Sequence, residues 1–508
     1  MKKIITMMAA AALFVLPAAA QSQQSDRVKA AKDSLQQIKT NADRGDARSQ
    51  CIVGNWYYTG QHVTKDYAKA FDYYSKSAAQ KNTTAIGNLG LCYQYGNGVK
   101  ADSVLAMKHY LRSMNAGNKP LVQQMEQRAG RGELFAAVAS GLYYNGKGKD
   151  VNKSVAYLKK AADKGSVDAG RELALVFLNN RRGGEAFQWF EKGAANGDVP
   201  SIYYCGRMLR EGGMGVKSDP SRALQFLTRA SDLGFPAADY QLGQAYKLGL
   251  GVRKDMEKAR EYYHRGTIGG NTNAAYQLAM SLIKEAPADY FTAIDLLEYS
   301  VPRGHAKAFE RLFQPSDTTL NGSEFHNFLL GMQAYDKKDF PAAEKIFKSL
   351  DKKKLAQAKT MLALIQLNKD NPKRNLKKGV KTLEAAVKAG DARAMYALAT
   401  LYETGTGVAV DKQRALELLL QSAEAGDFNA LCRLGDIYYE GLLGESRDLT
   451  KAVDYYTQAG PLRNKKAADR LADCLRNGQG TAADAARADE VESSYAPRTL
   501  GDLTKHLR

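Results

Sequence analysis

The chain predicts an all-α solenoid of stacked helix hairpins, and three observations carry that expectation. Small residues recur at Gly54, Gly90, Ser140, Ala174, Gly206, Gly243, Ala279, Gly331, Ala363, Ala399, Gly435 and Ala472, with steps of 32–37 residues apart from two of 50 and 52. A near-constant period of this size marks supersecondary units that stack on their neighbours. Each period also holds two apolar stripes at helical spacing separated by a glycine turn. The second stripe repeats one order of residues: a small residue, an aromatic pair one turn later, then further small residues.

The unit from Ala85 to Gly117 shows why each part forms. Ile86, Leu89 and Tyr93 lie on one helical face, Gly96-Asn97-Gly98 interrupts it, and Leu105, Ala106, His109 and Tyr110 make a second face that ends at Gly117. Gly90 stands inside a helix at a cost of about 1 kcal/mol relative to alanine, which close approach of the paired helix offsets. The turn glycines recur at Gly146/Gly148, Gly249/Gly251, Gly405/Gly407 and Gly478/Gly480. No strand precedes them, so they do not read as a dinucleotide-cradling loop. In the second stripe the pairs are Tyr73-Tyr74, Trp189-Phe190, Tyr262-Tyr263 and Tyr455-Tyr456. The first aromatic of each is read as core and the second as a groove edge.

"GLGVRKDMEKAREYYHRG" and "GTGVAVDKQRALELLLQSA" resemble the Sel1-like repeat, whose second helix reads K-A-x-x-Y-Y-x-K-A-A after a G-x-G-V turn, and the likeness recurs in register over roughly residues 41–480. "LLGMQAYDKKDFPAAEKIF", around residues 323–350, is more similar to the tetratricopeptide unit through Leu330, Gly331, Phe340, Ala343 and Phe347; Tyr335 stands off that unit's usual tyrosine position. Both resemblances imply α/α-hairpin superhelices.

The long steps each add about 15 residues, near Asn118–Arg131 and Arg303–Gly322, room for one short helix or a long loop. The second contains Pro315 and "PSDTTLNGS" and reads as a linker. The expected organisation is a signal peptide over 1–20, an N-terminal solenoid over 21–304, a linker over 305–322, a second solenoid over 323–480, and a cap or tail over 481–508. Lys2 and Lys3, the apolar run from Met7 to Val15 and the Pro17-to-Ala20 segment have the layout of a cleavable export signal ending near Ala20. That run is too short to span a bilayer, and no later one is long enough.

The formal charge is +19, or +17 without Lys2 and Lys3. Residues 337–388 hold fifteen Lys/Arg against five Asp/Glu, and Lys352, Lys353, Lys354, Lys373, Arg374, Lys377 and Lys378 form the candidate basic surface. It reads either as a solvated helical face or as a surface that attracts an anionic glycan, a lipid or an acidic protein. Nucleic acid is disfavoured for an exported chain. Cys51 and Cys92 occupy the same two slots around their small residues as Cys432 and Cys474. In an exported protein this pattern predicts a Cys51–Cys92 and a Cys432–Cys474 disulfide, with four buried thiols at core positions as the alternative; Cys205 has no equivalent partner and is expected to remain the single free thiol.

Catalytic, metal and cofactor-binding residues do not stand out. The six histidines are scattered, no HExxH, GxSxG or Cys/His cluster occurs, and the acidic residues fall in turns such as "AGD" that read as exposed. The expected function is an exported, non-enzymatic scaffold that binds a protein or peptide in the groove lined by first helices, which the resemblance implies for envelope assembly or host contact. The alternatives are an envelope-surface binder of anionic glycan or lipid, and a β-lactam-binding or hydrolysing enzyme. The last rests on cysteine-rich relatives of the resemblance, which pair cysteines within each repeat as this chain does not.

Overall fold

The computed structural model describes residues 34–284, 289–313, 324–460 and 465–493. Among them the chain is helical throughout, with one isolated bridge between Gly213 and Val216 and no strand. It divides into two compact units, Met1–Asp198 and Val199–Arg508.

In the first unit a helix over 34–43 precedes the hairpins Ala47–Thr59/Tyr67–Ala79 and Thr83–Tyr95/Ser103–Asn115, a single helix Lys119–Gly130, and the hairpins Leu134–Asn145/Val151–Ala162 and Val167–Asn179/Gly183–Ala195. The second unit starts with Val199–Glu211/Pro220–Asp232, Pro236–Leu248/Met256–Ile268 and Thr272–Lys284/Tyr290–Ser300, followed by the single helix Ala306–Phe313. It continues through Glu324–Asp336/Phe340–Lys352, Ala356–Leu367/Leu376–Lys388, Ala392–Thr404/Lys412–Glu424, Phe428–Glu440/Leu449–Ala459 and Lys465–Asn477/Ala485–Ser493. Both long steps of the period therefore hold an extra helix.

Local chemistry sets the hairpin ends. Asp66, Asp102, Asp150, Asp219, Asp255, Asp411 and Asp448 each cap a second helix by accepting the backbone N–H three residues on. Gly96 closes its first helix in the left-handed region at φ 71°. Gly98 packs so closely on the Tyr67 carbonyl that a Cβ there has no room. The second turn glycine thus also sets the register between neighbouring repeats.

The small position in each first helix faces the paired helix. A Cβ on Gly54 would lie 2.7 Å from the Tyr74 ring, on Gly206 2.7 Å from Leu227, and on Gly331 2.7 Å from Phe347, inside any normal contact. In the third repeat the tight position is Gly141, 2.5 Å from Leu158 by the same measure, rather than the neighbouring Ser140.

The aromatic pairs are arranged opposite to expectation. Tyr74, Phe190, Tyr263 and Tyr456, the second of each pair, are 0–2% exposed, while Tyr73, Trp189, Tyr262 and Tyr455 are half-buried. Ala70, Tyr74 and Ala78 lie one turn apart along a single face, and that face meets the first helix.

The sequence reading puts a boundary at 305–322. The division into compact units falls between Asp198 and Val199, and the described residues on both sides of 314–323 share one apolar core. There Phe291 and Phe328 lie edge to face at 5.2 Å, and Phe328 packs on Phe347 at 5.4 Å. Residues 314–323 and the expected signal segment 1–20 lie outside the described residues.

Candidate interaction sites

In four of the hairpins a half-buried aromatic of the second helix stacks on an aromatic of the first helix. The stacked pairs are Tyr57/Tyr73, Tyr144/Tyr157, Tyr246/Tyr262 and Tyr438/Tyr455, with ring centroids 5.5–6.1 Å apart. The lysine four residues before each second-helix ring, Lys69, Lys153, Lys258 or Lys451, reaches over the first-helix ring at 4.7–5.5 Å. At partly exposed sites such contacts contribute about 0.5–1 kcal/mol each, so this edge is a packing element of the hairpin.

The buried aromatics join polar side chains across repeats. Tyr74 Oη donates to Asn55 Oδ1 at 2.8 Å, and Asn88 of the next first helix donates to the same oxygen at 2.9 Å. Tyr456 Oη donates to Asp436 Oδ1 at 2.8 Å, and Arg470 of the next first helix donates to it at 2.5 Å. Where the extra helix Lys119–Gly130 enters, the same kind of link involves Gln94. Its Oε1 accepts from Tyr110 at 2.9 Å and from Arg128 Nη2 at 3.4 Å, and Arg128 Nε pairs with Glu133 at 2.7 Å.

That extra helix stands outside the hairpin pairing and leaves a notch of about 400 Å³. Thr84, Asn88 and Leu91 line one side of it, and Leu121, Gln124 and Arg128 the other. Among the described residues, Arg128 Nη1 has the Met125 sulfur, at 3.9 Å, as its partner. The notch therefore combines a charged donor with an amide and apolar side chains, in the size range of ligand pockets, about 300–1,000 Å³.

The second unit buries a charged cluster that connects distant repeats. Arg393, at the start of Ala392–Thr404, donates from Nη2 to Asp295 at 2.7 Å and from Nε to Asp427 at 2.6 Å, and lies over the Phe291 ring at 5.2 Å. Burial opposes the Arg393 charge, but Asp295 and Asp427 outweigh it and hold the guanidinium ionised. Asp391, 4% exposed, caps the same helix with one oxygen, while its Oδ2 makes no well-formed hydrogen bond among the described residues and has the Thr360 hydroxyl as a neighbour. Burial, with Asp289 nearby, pushes the Asp391 carboxyl up to about 6. The "AGD" aspartates at 391 and 427, read from sequence as exposed, are thus buried caps in an ion cluster.

The structure forms neither expected disulfide. Cys51 and Cys92 are buried thiols in one apolar cluster with Tyr74, and burial pushes them up to about 11 and about 12. Cys432 and Cys474 are buried in another cluster and Cys205 is buried as well. Stacked helices run about 8–10 Å apart, whereas a bridge needs Cα atoms within about 7 Å. Here the ring of Tyr74, seated on Gly54, helps to fill the space beside the first pair.

The seven basic residues of the candidate surface are all exposed, but they fall into two groups. Lys352, Lys353 and Lys354 lie where Phe340–Lys352 ends, and Lys373, Arg374, Lys377 and Lys378 where Leu376–Lys388 begins. Ala356–Leu367 runs back between those two helices, so the groups sit at opposite ends, separated by roughly 18 Å for a 13-residue helix.

The Sel1 repeat profile matches residues 47–82, 84–118, 136–166, 183–198, 199–235, 236–271, 392–427, 429–460 and 465–488. It leaves the hairpin likened to a tetratricopeptide unit unmatched. Chitin synthase regulatory factor 3 of Schizosaccharomyces pombe is 38% identical over 120 residues, 22% of this chain and 13% of that protein. The ERAD-associated E3 ubiquitin-protein ligase component HRD3A of Arabidopsis thaliana is 28% identical over 75 residues, 15% of this chain and 11% of that protein. The chain therefore spans only a small part of either relative. A crystal structure of a protective antigen of uropathogenic Escherichia coli with an SLR fold is 23% identical, covers 93% of both chains and has a TM-score of 0.35.

Proposed function

The chain belongs to the Sel1 repeat family, and from that premise we propose that it is a non-enzymatic, exported scaffold that holds a protein or peptide partner on its first helices. The observation that carries this reading is the notch beside Lys119–Gly130. An extended segment placed there meets Leu91 and Leu121 with its side chains, and the Gln124 amide and Arg128 Nη1 with its carbonyls or a carboxylate. Pockets that combine an apolar lining with a few convergent polar groups fix both affinity and orientation. The two curated relatives are named a regulatory factor of a synthase and a component of a ligase, names that set each beside an enzyme. Export rests on the first 20 residues and gives the scaffold a place in the envelope or outside the cell.

The test fills the notch. Thr84 and Gln124 are exposed, so Thr84→Trp with Gln124→Trp occupies the space without entering the core. Affinity capture from the native envelope should recover a partner with the parent protein and lose it with the filled variant, while a Lys108→Trp control keeps it. Equal recovery by all three proteins would contradict the notch reading.

A further inference from the structure

The basic segment gains an arrangement in the structure that its composition does not show. On Phe340–Lys352 the exposed Lys345, Lys348 and Lys352 lie one turn apart along the outward face, and on Leu376–Lys388 Lys377 and Lys381 lie one turn apart with Lys388 two turns further on, past the exposed Glu384. The two faces are close at one end: the Glu344 carboxyl is held below its usual range first by Lys348 and then by Lys378, at the start of Leu376–Lys388, and by Lys373 in the turn before it. Lys352–Lys354 extend the charge past one end of the face, and Lys373 and Arg374 extend it past the other. Pairing to acids is sparse. Lys348 reaches Glu344 at 2.7 Å and Lys353 reaches Glu324 at 3.8 Å, whereas Lys345, Lys352, Lys377, Lys381 and Lys388 make no ion pair within 4 Å among the described residues. Asp66, Asp150, Asp219, Asp255, Asp411 and Asp448 cap second helices that carry a basic residue three positions on, as Lys378 stands after the cap here, but this cap is the neutral Asn375.

We infer that these two helix faces form a binding surface for a linear anionic polysaccharide bearing carboxylates along its chain, separate from the partner notch. Lys345, Lys348 and Lys352, and Lys377 and Lys381, follow one another at one helical turn, about 5.4 Å, comparable with the advance of one sugar ring. The charge continues around both ends of the face, so a flexible polymer can follow it, whereas a flat bilayer meets one side only. Between Leu330 and Val410 no large apolar side chain is exposed to enter a membrane. The aromatics within 337–388 are Phe340 and Phe347, both buried, which leaves no ring for the base stacking that single-stranded nucleic acids use.

The experiment measures binding of the full chain to labelled polygalacturonate by fluorescence anisotropy, with anionic phosphatidylglycerol vesicles, single-stranded DNA and neutral dextran as parallel probes. The parent should bind polygalacturonate at low salt, release it as salt rises, prefer it to DNA and vesicles, and ignore dextran. Reversing Lys345, Lys348, Lys381 and Lys388 to glutamate should weaken binding by roughly tenfold or more. Hydrogen exchange on the parent alone should show polymer-dependent protection over 340–352 and 376–388, a readout that does not depend on the variant folding. Unchanged affinity in the reversed variant, protection elsewhere, or preference for vesicles or DNA would overturn the inference. The notch-filled protein should bind the polymer like the parent, so failure here and failure of the scaffold reading are separate results.

Discussion

Asp391→Asn should stabilise the second unit at neutral pH and lose that advantage in acid. Asp391 is 4% exposed, its Oδ2 makes no well-formed hydrogen bond among the described residues, and its carboxyl is pushed from about 3.8 up to about 6 by burial first, with Asp289 adding. The folded chain therefore binds this proton more tightly than the unfolded chain, and stability falls as pH rises from about 4 through about 6. Fully ionised, the carboxylate costs on the order of 3 kcal/mol. Asparagine caps a helix as well as aspartate does, so the bond from the Ala394 N–H survives while the charge is removed. The Arg393 pairs with Asp295 and Asp427 remain. At roughly 2 °C per kcal/mol for a unit of this size, calorimetry should show a rise of about 4–6 °C at about pH 7.5, shrinking towards zero near pH 4. Asp427→Asn preserves the cap of Phe428–Glu440 but removes a partner of Arg393, and should destabilise by about 3 kcal/mol or more. A variant at Asp391 that is no more stable at neutral pH, or whose gain does not depend on pH, would refute the reasoning.

Gly243→Ala should lower the melting temperature, because the new Cβ has no room beside Tyr263 and overpacking costs about 1–3 kcal/mol. Gly170→Ala, where the nearest atom is 3.5 Å away, should not. Tyr456→Phe removes the bond to buried Asp436 and should cost about 1–3 kcal/mol; Tyr263→Phe, which removes a hydroxyl without a partner, should be neutral or stabilising in the same denaturation assay. Thiol reagents should modify Cys51 and Cys92 only after unfolding and without prior reduction; a Cys51–Cys92 crosslink in non-reducing peptide maps would contradict the structure. A chromogenic β-lactam incubated with the chain should remain unhydrolysed, and turnover above a buffer control would restore the enzyme reading.

The hairpins and their period were legible because steric need shows directly in sequence: a helix that must approach within contact of an aromatic ring carries glycine there. The order within the aromatic pairs runs opposite to the sequence reading: adjacency of the two tyrosines does not say which one turns inward, and the four-residue step from Ala70 to Tyr74 to Ala78, which that reading did not use, places the second on the buried face. The Arg393 cluster was not legible. Asp295 lies 98 residues away, and only the return of later repeats onto Tyr290–Ser300 brings it near. The notch depends on one extra helix; the long step announced room for a short helix or a long loop, but neither the choice between them nor the unpaired position. The basic segment was visible as composition, and Lys345, Lys348, Lys381 and Lys388 joined it only once the helix faces were known.

The scaffold reading is tested most directly by photo-crosslinking in the native envelope, with a benzophenone amino acid placed singly at Thr84, at Gln124 or at the outward Lys108. The account predicts one shared partner adduct from the two notch positions and none from Lys108. Adducts of equal strength at all three positions, or an adduct at Lys108 alone, would contradict it.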